Sequence, residues 1–174
     1  MKITLIKADI TALEVDAIVN AANGFLEGGG GVDGAIHRKA GPELRQACIQ
    51  IKKEMGITFL PTGKAVITPG FHLPAKYVIH TVGPIYNRRD ERQAAQLSSC
   101  YTNSLDIATA YDCKTIAFPN ISTGVYRYPK EEAAGIALDA VRSFTSSGIA
   151  EVVFVCFDEE NYRLYQSLME HPDR

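Results

Sequence analysis

Residues 17–41 read AIVNAANGFLEGGGGVDGAIHRKAG, and their interpretation decides the fold. Ala17–Val19, leading into Asn20, is a short apolar segment of strand type. Residues 28–31 are four consecutive glycines, and glycine loses more backbone entropy on folding than any other residue. Such a run is expected where the chain must approach a ligand closely or adopt positive φ. From Asp33 onward the pattern is helical, with a break expected at Gly41-Pro42, because proline removes a backbone donor and clashes with the preceding turn. A strand, a glycine loop and a helix start in succession aim several backbone amides and the positive end of a helix dipole at one point. That arrangement suits an anion, above all a phosphate or diphosphate.

The same alternation continues in both directions. Lys2–Ala8, Lys64–Thr68, Tyr77–Val82, Thr115–Phe118 and Glu151–Phe157 read as further strands, the last nearly continuous and apolar, as expected of a strand buried on both faces. Helices are expected over Asp33–Met55 with its break, Glu91–Tyr111, Pro129–Ser146 and Glu159–Glu170. The sum is an α/β protein, a three-layer α/β/α sandwich with a mixed, mostly parallel central sheet, and one domain over residues 1–174.

Composition narrows the function classes. The 174 residues are 46% hydrophobic and 22% charged, too apolar for a disordered chain. A net charge of −2 and a pI near 6.1 provide no global positive field, so direct nucleic-acid binding is not expected. Cysteines 48, 100, 113 and 156 form no Cys-x-x-Cys, and no histidine stands at metal spacing. The expectation is a reducing compartment with no disulfide framework, no metal and no cofactor. No apolar run approaches the ~20 residues that cross a bilayer, and the apolar start before Asp9 is too short for a signal sequence. A cytoplasmic, membrane-free monomer is expected.

In open α/β sheets, ligands bind beyond the carboxyl ends of the strands. After the first strand, Asp9 either caps a short turn or accepts a hydrogen bond from an exocyclic amine such as adenine's. Asn20 and Asn23 offer amides to sugar hydroxyls, or form local turns. No Gly-Lys-Ser/Thr follows the glycines, so the Walker A pattern fails. Gly29, Gly31 and Gly34 match G-x-G-x-x-G formally but stand too far from their strand for a dinucleotide fingerprint. Asp33 and His37 are four apart and share a helix face. Asp33 is an N-cap or, held in its charged form by the helix start, a base. Ser122, Thr123, Gly124 and Val125 make a second small-residue loop, Tyr126 can cover a sugar ring, and Phe157 can stack on a base. Together these features describe a site for a nucleoside diphosphate-sugar.

The strings Val19–Asn23 (VNAAN), Gly28–Gly41 (GGGGVDGAIHRKAG), His80–Pro84 (HTVGP), Ile121–Pro129 (ISTGVYRYP) and Val155–Asn161 (VCFDEEN) resemble those of macrodomains, specifically the MacroD-type subfamily that includes bacterial O-acetyl-ADP-ribose deacetylases. They occur in the family's order and span essentially the whole chain. The resemblance implies a sandwich that binds ADP-ribose. Asp9 takes the adenine amino group with the Ile10 amide beside it, and Phe157 flanks adenine. Gly30, Gly31 and Val32 hold the diphosphate from one side, and Ser122, Thr123, Gly124 and Val125 from the other. Asn23, Asp33 and Tyr126 surround the distal ribose, supported by Asn20 and Ala22. Asn23 and Asp33 match the positions usually assigned to catalysis, and His37 orients its neighbours. Two residues depart from the pattern. Ala8 stands where glycine usually precedes the aspartate, and Arg127 where glycine usually separates the two tyrosines.

The implied activity is hydrolysis of O-acetyl-ADP-ribose and of single ADP-ribose units on Asp or Glu side chains. The partners are then ADP-ribose, O-acetyl-ADP-ribose and mono-ADP-ribosylated proteins. No nucleophilic triad order and no metal cluster is present in the sequence, so a covalent or metal route is disfavoured. The alternatives are a non-catalytic ADP-ribose reader, which commonly lacks the Asn23 and Asp33 pair, and a regulator acting by contact, such as a ribonuclease inhibitor.

Overall fold

The computed structural model describes residues 1–145 and 148–172. Six strands form one sheet: β1 (Lys2–Lys7), β2 (Ala17–Ala22), β3 (Ala65–Pro69), β4 (Tyr77–Val82), β5 (Thr115–Phe118) and β6 (Glu151–Cys156). Five helices accompany them: α1 (Gly31–Ala40), α2 (Pro42–Met55), α3 (Gln93–Ala110), α4 (Lys130–Ser143) and α5 (Glu159–Glu170). A 3-10 turn at Ile10–Ala12 follows β1. The strand order is β1-β6-β5-β2-β4-β3. All neighbours are parallel except the edge pair β3–β4, so the sheet is mixed and mostly parallel, as expected.

Period-2 alternation divides the strands between two layers. Ala17, Val19, Ile79, Ile116, Phe118, Val152 and Phe154 enter one core, against α3, α4 and α5. Ile18, Val78, Ala117, Val153 and Val155 point the other way, toward α1 and α2. The first core is aromatic. Tyr101 lies 4.9 Å from Phe118, Phe118 6.1 Å from Phe154, and Phe154 5.1 Å from Tyr165. The terminal helix contributes Tyr165, with Tyr162, Leu168 and Met169 packed beside it, so that stripe is core-facing. All four cysteines are free and buried, Cys48 on α2 and Cys100 on α3.

Element ends differ from the sequence reading in instructive places. Helix α1 begins at Gly31, two residues before Asp33, with Gly31 itself in left-handed backbone at φ 59°. β2 runs on to Ala22, so Asn20 is a strand residue and not the start of a loop. The break falls at Gly41, with Pro42 opening α2. α4 ends at Ser143, and its expected end at Ser146 lies outside the described residues. Among the described residues no helix is long and apolar enough to cross a membrane.

Candidate functional site

Five parallel strands end along one edge of the sheet, and each is followed by a segment singled out in the sequence. In spatial order these are Asp9 after β1, Phe157 after β6, the 119–129 loop after β5, the Asn23–Gly30 loop after β2, and Gly83-Pro84 after β4. β1 and β2 are three strand intervals apart, about 14 Å at the usual spacing of ~4.8 Å. The edge therefore suits a long ligand with unlike ends.

At the β2 end, Gly30 is the N-cap of α1 and provides no side-chain bond. Gly31, Val32 and Asp33 fill the first turn, where backbone amides have no intrahelical acceptor and face outward. Asp33 is therefore inside the helix and not its cap. A Cβ on Gly34 would run into the carbonyl of Gly29, so the loop crosses α1 at a distance only glycine allows. A Cβ on Gly29 itself would lie 3.1 Å from Asp33 Oδ2 and 3.2 Å from Asn23 Nδ2. The acid and the amide thus converge under a residue with no side chain. Asn23 also closes its own loop, donating to the Gly28 carbonyl at 3.0 Å and accepting from the Phe25 amide at 3.0 Å.

Asp33 is buried, only 5% exposed. Its Oδ1 accepts from Asn20 Nδ2 at 2.8 Å, and His37 Nε2 stands 3.4 Å away, in electrostatic contact but without an aligned hydrogen bond. Burial pushes the Asp33 carboxyl above its ordinary value, against the Asn20 hydrogen bond and the charge of His37. Desolvation outweighs the Asn20 hydrogen bond, so the carboxyl takes up a proton more readily than a free one. Burial also lowers the His37 imidazole, with Asp33 acting in the opposite sense. Asn20 is buried completely, so it meets no sugar. It is a carrier of Asp33.

The second loop is braced from below. Tyr86 N donates to the Tyr126 carbonyl at 2.8 Å, Arg127 N to Gly124 at 3.0 Å, and Tyr128 N to Ser122 at 2.8 Å. Ser122 and Arg127 both hold left-handed backbone, with φ of 67° and 59°, a conformation that costs a non-glycine residue about 1 kcal/mol or more. Ser122 Oγ is buried without a partner. It presses on Gly83, where a Cβ would collide with it and with Ile121. Thr123 is half-buried, Gly124 is exposed, and Val125 is 91% exposed, as open as Phe157 at 83%. Tyr126 is half-buried on the same loop. At the β1 end, Asp9 caps the 3-10 turn, its Oδ1 accepting from Thr11 N at 2.9 Å and Thr11 Oγ1 at 2.7 Å. These bonds hold its carboxyl below the usual range. Ile10 is buried beside it. Ala22 is a core residue in the cluster of Leu26, Cys48 and Leu60, which leaves its side chain no free surface. Among the described residues no group of three or more metal-ligating side chains is assembled.

A family model described as "Macro domain" matches residues 19–137, more than half of the chain and every part of the β2-to-β5 edge. The chain belongs to the Macro domain family. A macrodomain-containing protein of Chlorobaculum tepidum is 54% identical over 166 residues, covering 94% of this chain and 93% of that one. A protein of Klebsiella pneumoniae named O-acetyl-ADP-ribose deacetylase is 54% identical over 167 residues, 95% of this chain and 94% of its own. A variant of the Oceanobacillus iheyensis macrodomain, solved with ADPR, superposes with a TM-score of 0.93 at 45% identity, over 97% of this chain and 91% of that chain.

Two residues of this macrodomain lacked an assigned role in the sequence, although both belong to the HTVGP string. They are His80, buried behind Asn20, and Gly83, under Ser122. The signal for His80 was a histidine inside an otherwise apolar strand. Its partner became visible only with the register that pairs it with Asn20.

Proposed function

We propose that this macrodomain binds ADP-ribose along the carboxyl edge of its sheet and hydrolyses esters at the distal ribose. The substrates are O-acetyl-ADP-ribose and single ADP-ribose units on Asp or Glu side chains. One observation carries the reading: Asp33 and Asn23 converge beneath Gly29, at the ribose end of an edge whose length and order fit ADP-ribose. Relatives at about half identity are named O-acetyl-ADP-ribose deacetylase, which supports the first of these substrates.

In this reading Asp9, Ile10 and Phe157 receive adenine. The Gly30–Val32 amides at the start of α1 and the Ser122–Val125 loop hold the diphosphate, and Tyr126 covers the distal ribose. Asn23 fixes a ribose hydroxyl. Asp33 takes a proton from water as its oxygen adds to the ester carbonyl carbon. Collapse of the tetrahedral intermediate breaks the bond to the ribose oxygen, which takes the proton back from Asp33. The products are acetate, or a free Asp or Glu side chain, and ADP-ribose. A carboxyl raised by burial is a stronger base than a free one, and its buried position keeps it aligned. Asn20 and His37 both act to lower the Asp33 carboxyl, and burial outweighs them, which leaves it more basic than a free carboxylate. Arginine- and serine-linked ADP-ribose offer no ester carbonyl and are not cleaved.

The test uses O-acetyl-ADP-ribose and a protein mono-ADP-ribosylated on glutamate, with wild type and Asp33→Ala. Wild type releases acetate from the first and ADP-ribose from the second, and Asp33→Ala lowers kcat at least about tenfold. Calorimetric binding of ADP-ribose persists in both. Binding without release by either protein makes the domain a reader, and unchanged kcat in Asp33→Ala removes Asp33 from the mechanism.

A further inference from the structure

His80 has no exposed surface, so it touches no ligand, yet it is two hydrogen bonds from Asp33. Its Nδ1 lies 3.1 Å from Asn20 Nδ2. Its Nε2 lies 3.0 Å from Thr68 Oγ1 and 3.6 Å from Cys48 Sγ. The Asn20 amide nitrogen has two protons. One goes to Asp33 Oδ1 at 2.8 Å and the other points at His80. A proton on His80 Nδ1 would meet that N–H head on, so Nδ1 is the acceptor. The ring proton is then on Nε2, donating to Thr68 Oγ1. Burial, with the nearby His37 adding to it, pushes the His80 pKa down to about 3, so no second proton disturbs this pattern near neutrality.

We infer that His80 is a positioning residue for Asp33: as the Nε2–H tautomer it keeps the Asn20 amide turned nitrogen-first toward the carboxyl, which favours the ionised, proton-accepting form. The inference rests on the hydrolytic reading of Asp33. A reversed amide would set Asn20 Oδ1 against Asp33 Oδ1, a contact that only a protonated carboxyl satisfies. Asn20 Oδ1 is buried with no partner in the observed orientation, so the oxygen end does not hold the amide in place. The nitrogen end does, through Asp33 and His80. The other groups around Asp33 do not take over this task. From α1, His37 is in contact without an aligned bond. From α2, Cys48 is a neutral thiol pushed up to about 12, with Lys52 acting on it, and Arg45 acts on His37. β3 contributes Thr68, which is uncharged. The loop before α1 contributes Asn23, whose amide is bonded to Gly28.

The experiment compares wild type, His80→Leu and His80→Asn. Asparagine keeps a carbonyl oxygen near the place of Nδ1, whereas leucine keeps no acceptor. Two readouts are taken across acidic and neutral pH: kcat/KM on O-acetyl-ADP-ribose, and the 13C NMR titration of the Asp33 carboxyl. In His80→Leu the acid limb and the carboxyl midpoint both move up by roughly one pH unit, while the ADP-ribose Kd at neutral pH stays within about twofold. Activity then fails at a higher pH than in wild type, because the carboxyl takes its proton earlier. In His80→Asn both stay close to wild type. An unmoved midpoint in a folded His80→Leu protein overturns the inference, as does an equal loss of activity in both variants at unchanged midpoint. Should His80→Leu not fold, the isosteric Thr68→Val removes the acceptor that keeps the proton on Nε2. An unmoved midpoint there overturns the inference equally. A midpoint that moves in His80→Leu while wild type itself shows no turnover defeats the hydrolytic reading alone.

Discussion

The two faces of the sheet solve different problems with the same strands. Toward α3, α4 and α5, β2 and β4 present Ala17, Val19 and Ile79 to a dry aromatic core. Toward α1 and α2, the same two strands alternate apolar Ile18 and Val78 with Asn20 and His80, both completely buried. The polar groups of the first face are satisfied locally, the Tyr101 and Tyr165 hydroxyls by each other and Ser104 Oγ by the Cys100 carbonyl at 2.6 Å, and its stability comes mainly from area and packing. The second contains a file of hydrogen bonds from Thr68 through His80 and Asn20 to Asp33, with one carbonyl left unpaired. Buried polar groups are costly when unsatisfied, so the second face gives up stability where it holds the acid. One face sets whether the protein folds, the other what the folded protein does.

The sharpest way to break this contrast is on the aromatic side. Phe154→Ala, in the middle of the stack between Phe118 and Tyr165, costs about 3–5 kcal/mol of stability. Urea unfolding reads that loss, while calorimetry on the folded fraction finds ADP-ribose affinity close to wild type. A large affinity loss would mean that the faces are not separable. Gly83→Ala acts at the edge between them. The added methyl meets Ser122 and Ile121, costs about 1–3 kcal/mol by overpacking and weakens ADP-ribose binding more than it lowers the melting temperature.

A third prediction uses pH. His80 titrates at about 3 when folded and near 6.5 when free, so between those values the unfolded chain binds a proton that the native protein refuses. Stability therefore falls as pH drops from about 6.5 toward 3, by up to about 1.4 kcal/mol per pH unit for a full proton. Asp33, raised by burial, works in the opposite sense just above its ordinary value. His80→Asn removes the histidine contribution, so its urea midpoint declines less between about pH 7 and about pH 5 than that of wild type. Equal declines would place the titrating group elsewhere. The smallest effect is expected at the mouth. Arg127 holds φ of 59°, and Arg127→Gly relieves that strain while adding freedom to the unfolded chain, for a net gain of about 0.5–1 kcal/mol. Denaturant unfolding checks it, and a loss of stability would show that the arginine side chain is held by contacts that outweigh its backbone.

The strands, the helix break at Gly41-Pro42 and the two small-residue loops were legible because each rests on local chemistry: alternation, proline geometry and glycine content. The convergence of Asp33 and Asn23 was legible only through the resemblance to macrodomains, which implies that both stand at the distal ribose. What was not legible depends on pairing. Asn20 reads as a loop residue because asparagine is uncommon in strands. Only a histidine opposite it in β4 explains how β2 carries it two residues further. The burial of Asp33, which raises its carboxyl, was not legible for a related reason, because helix position is visible in a sequence and desolvation is not. Asp9 was open between cap and ligand. Its Oδ1 is spent on Thr11, which settles the first role without excluding the second for its other oxygen.

The buried thiols have a practical consequence. Cys48 on the α2 side is pushed up to about 12 and Cys100 on the α3 side to about 11, so neither offers a thiolate to an alkylating reagent while the protein is closed. Their labelling rates then measure opening. Because the two cysteines lie in different layers, peptide-resolved alkylation with time would clock the two faces separately, one layer against the other, in the untouched wild-type chain.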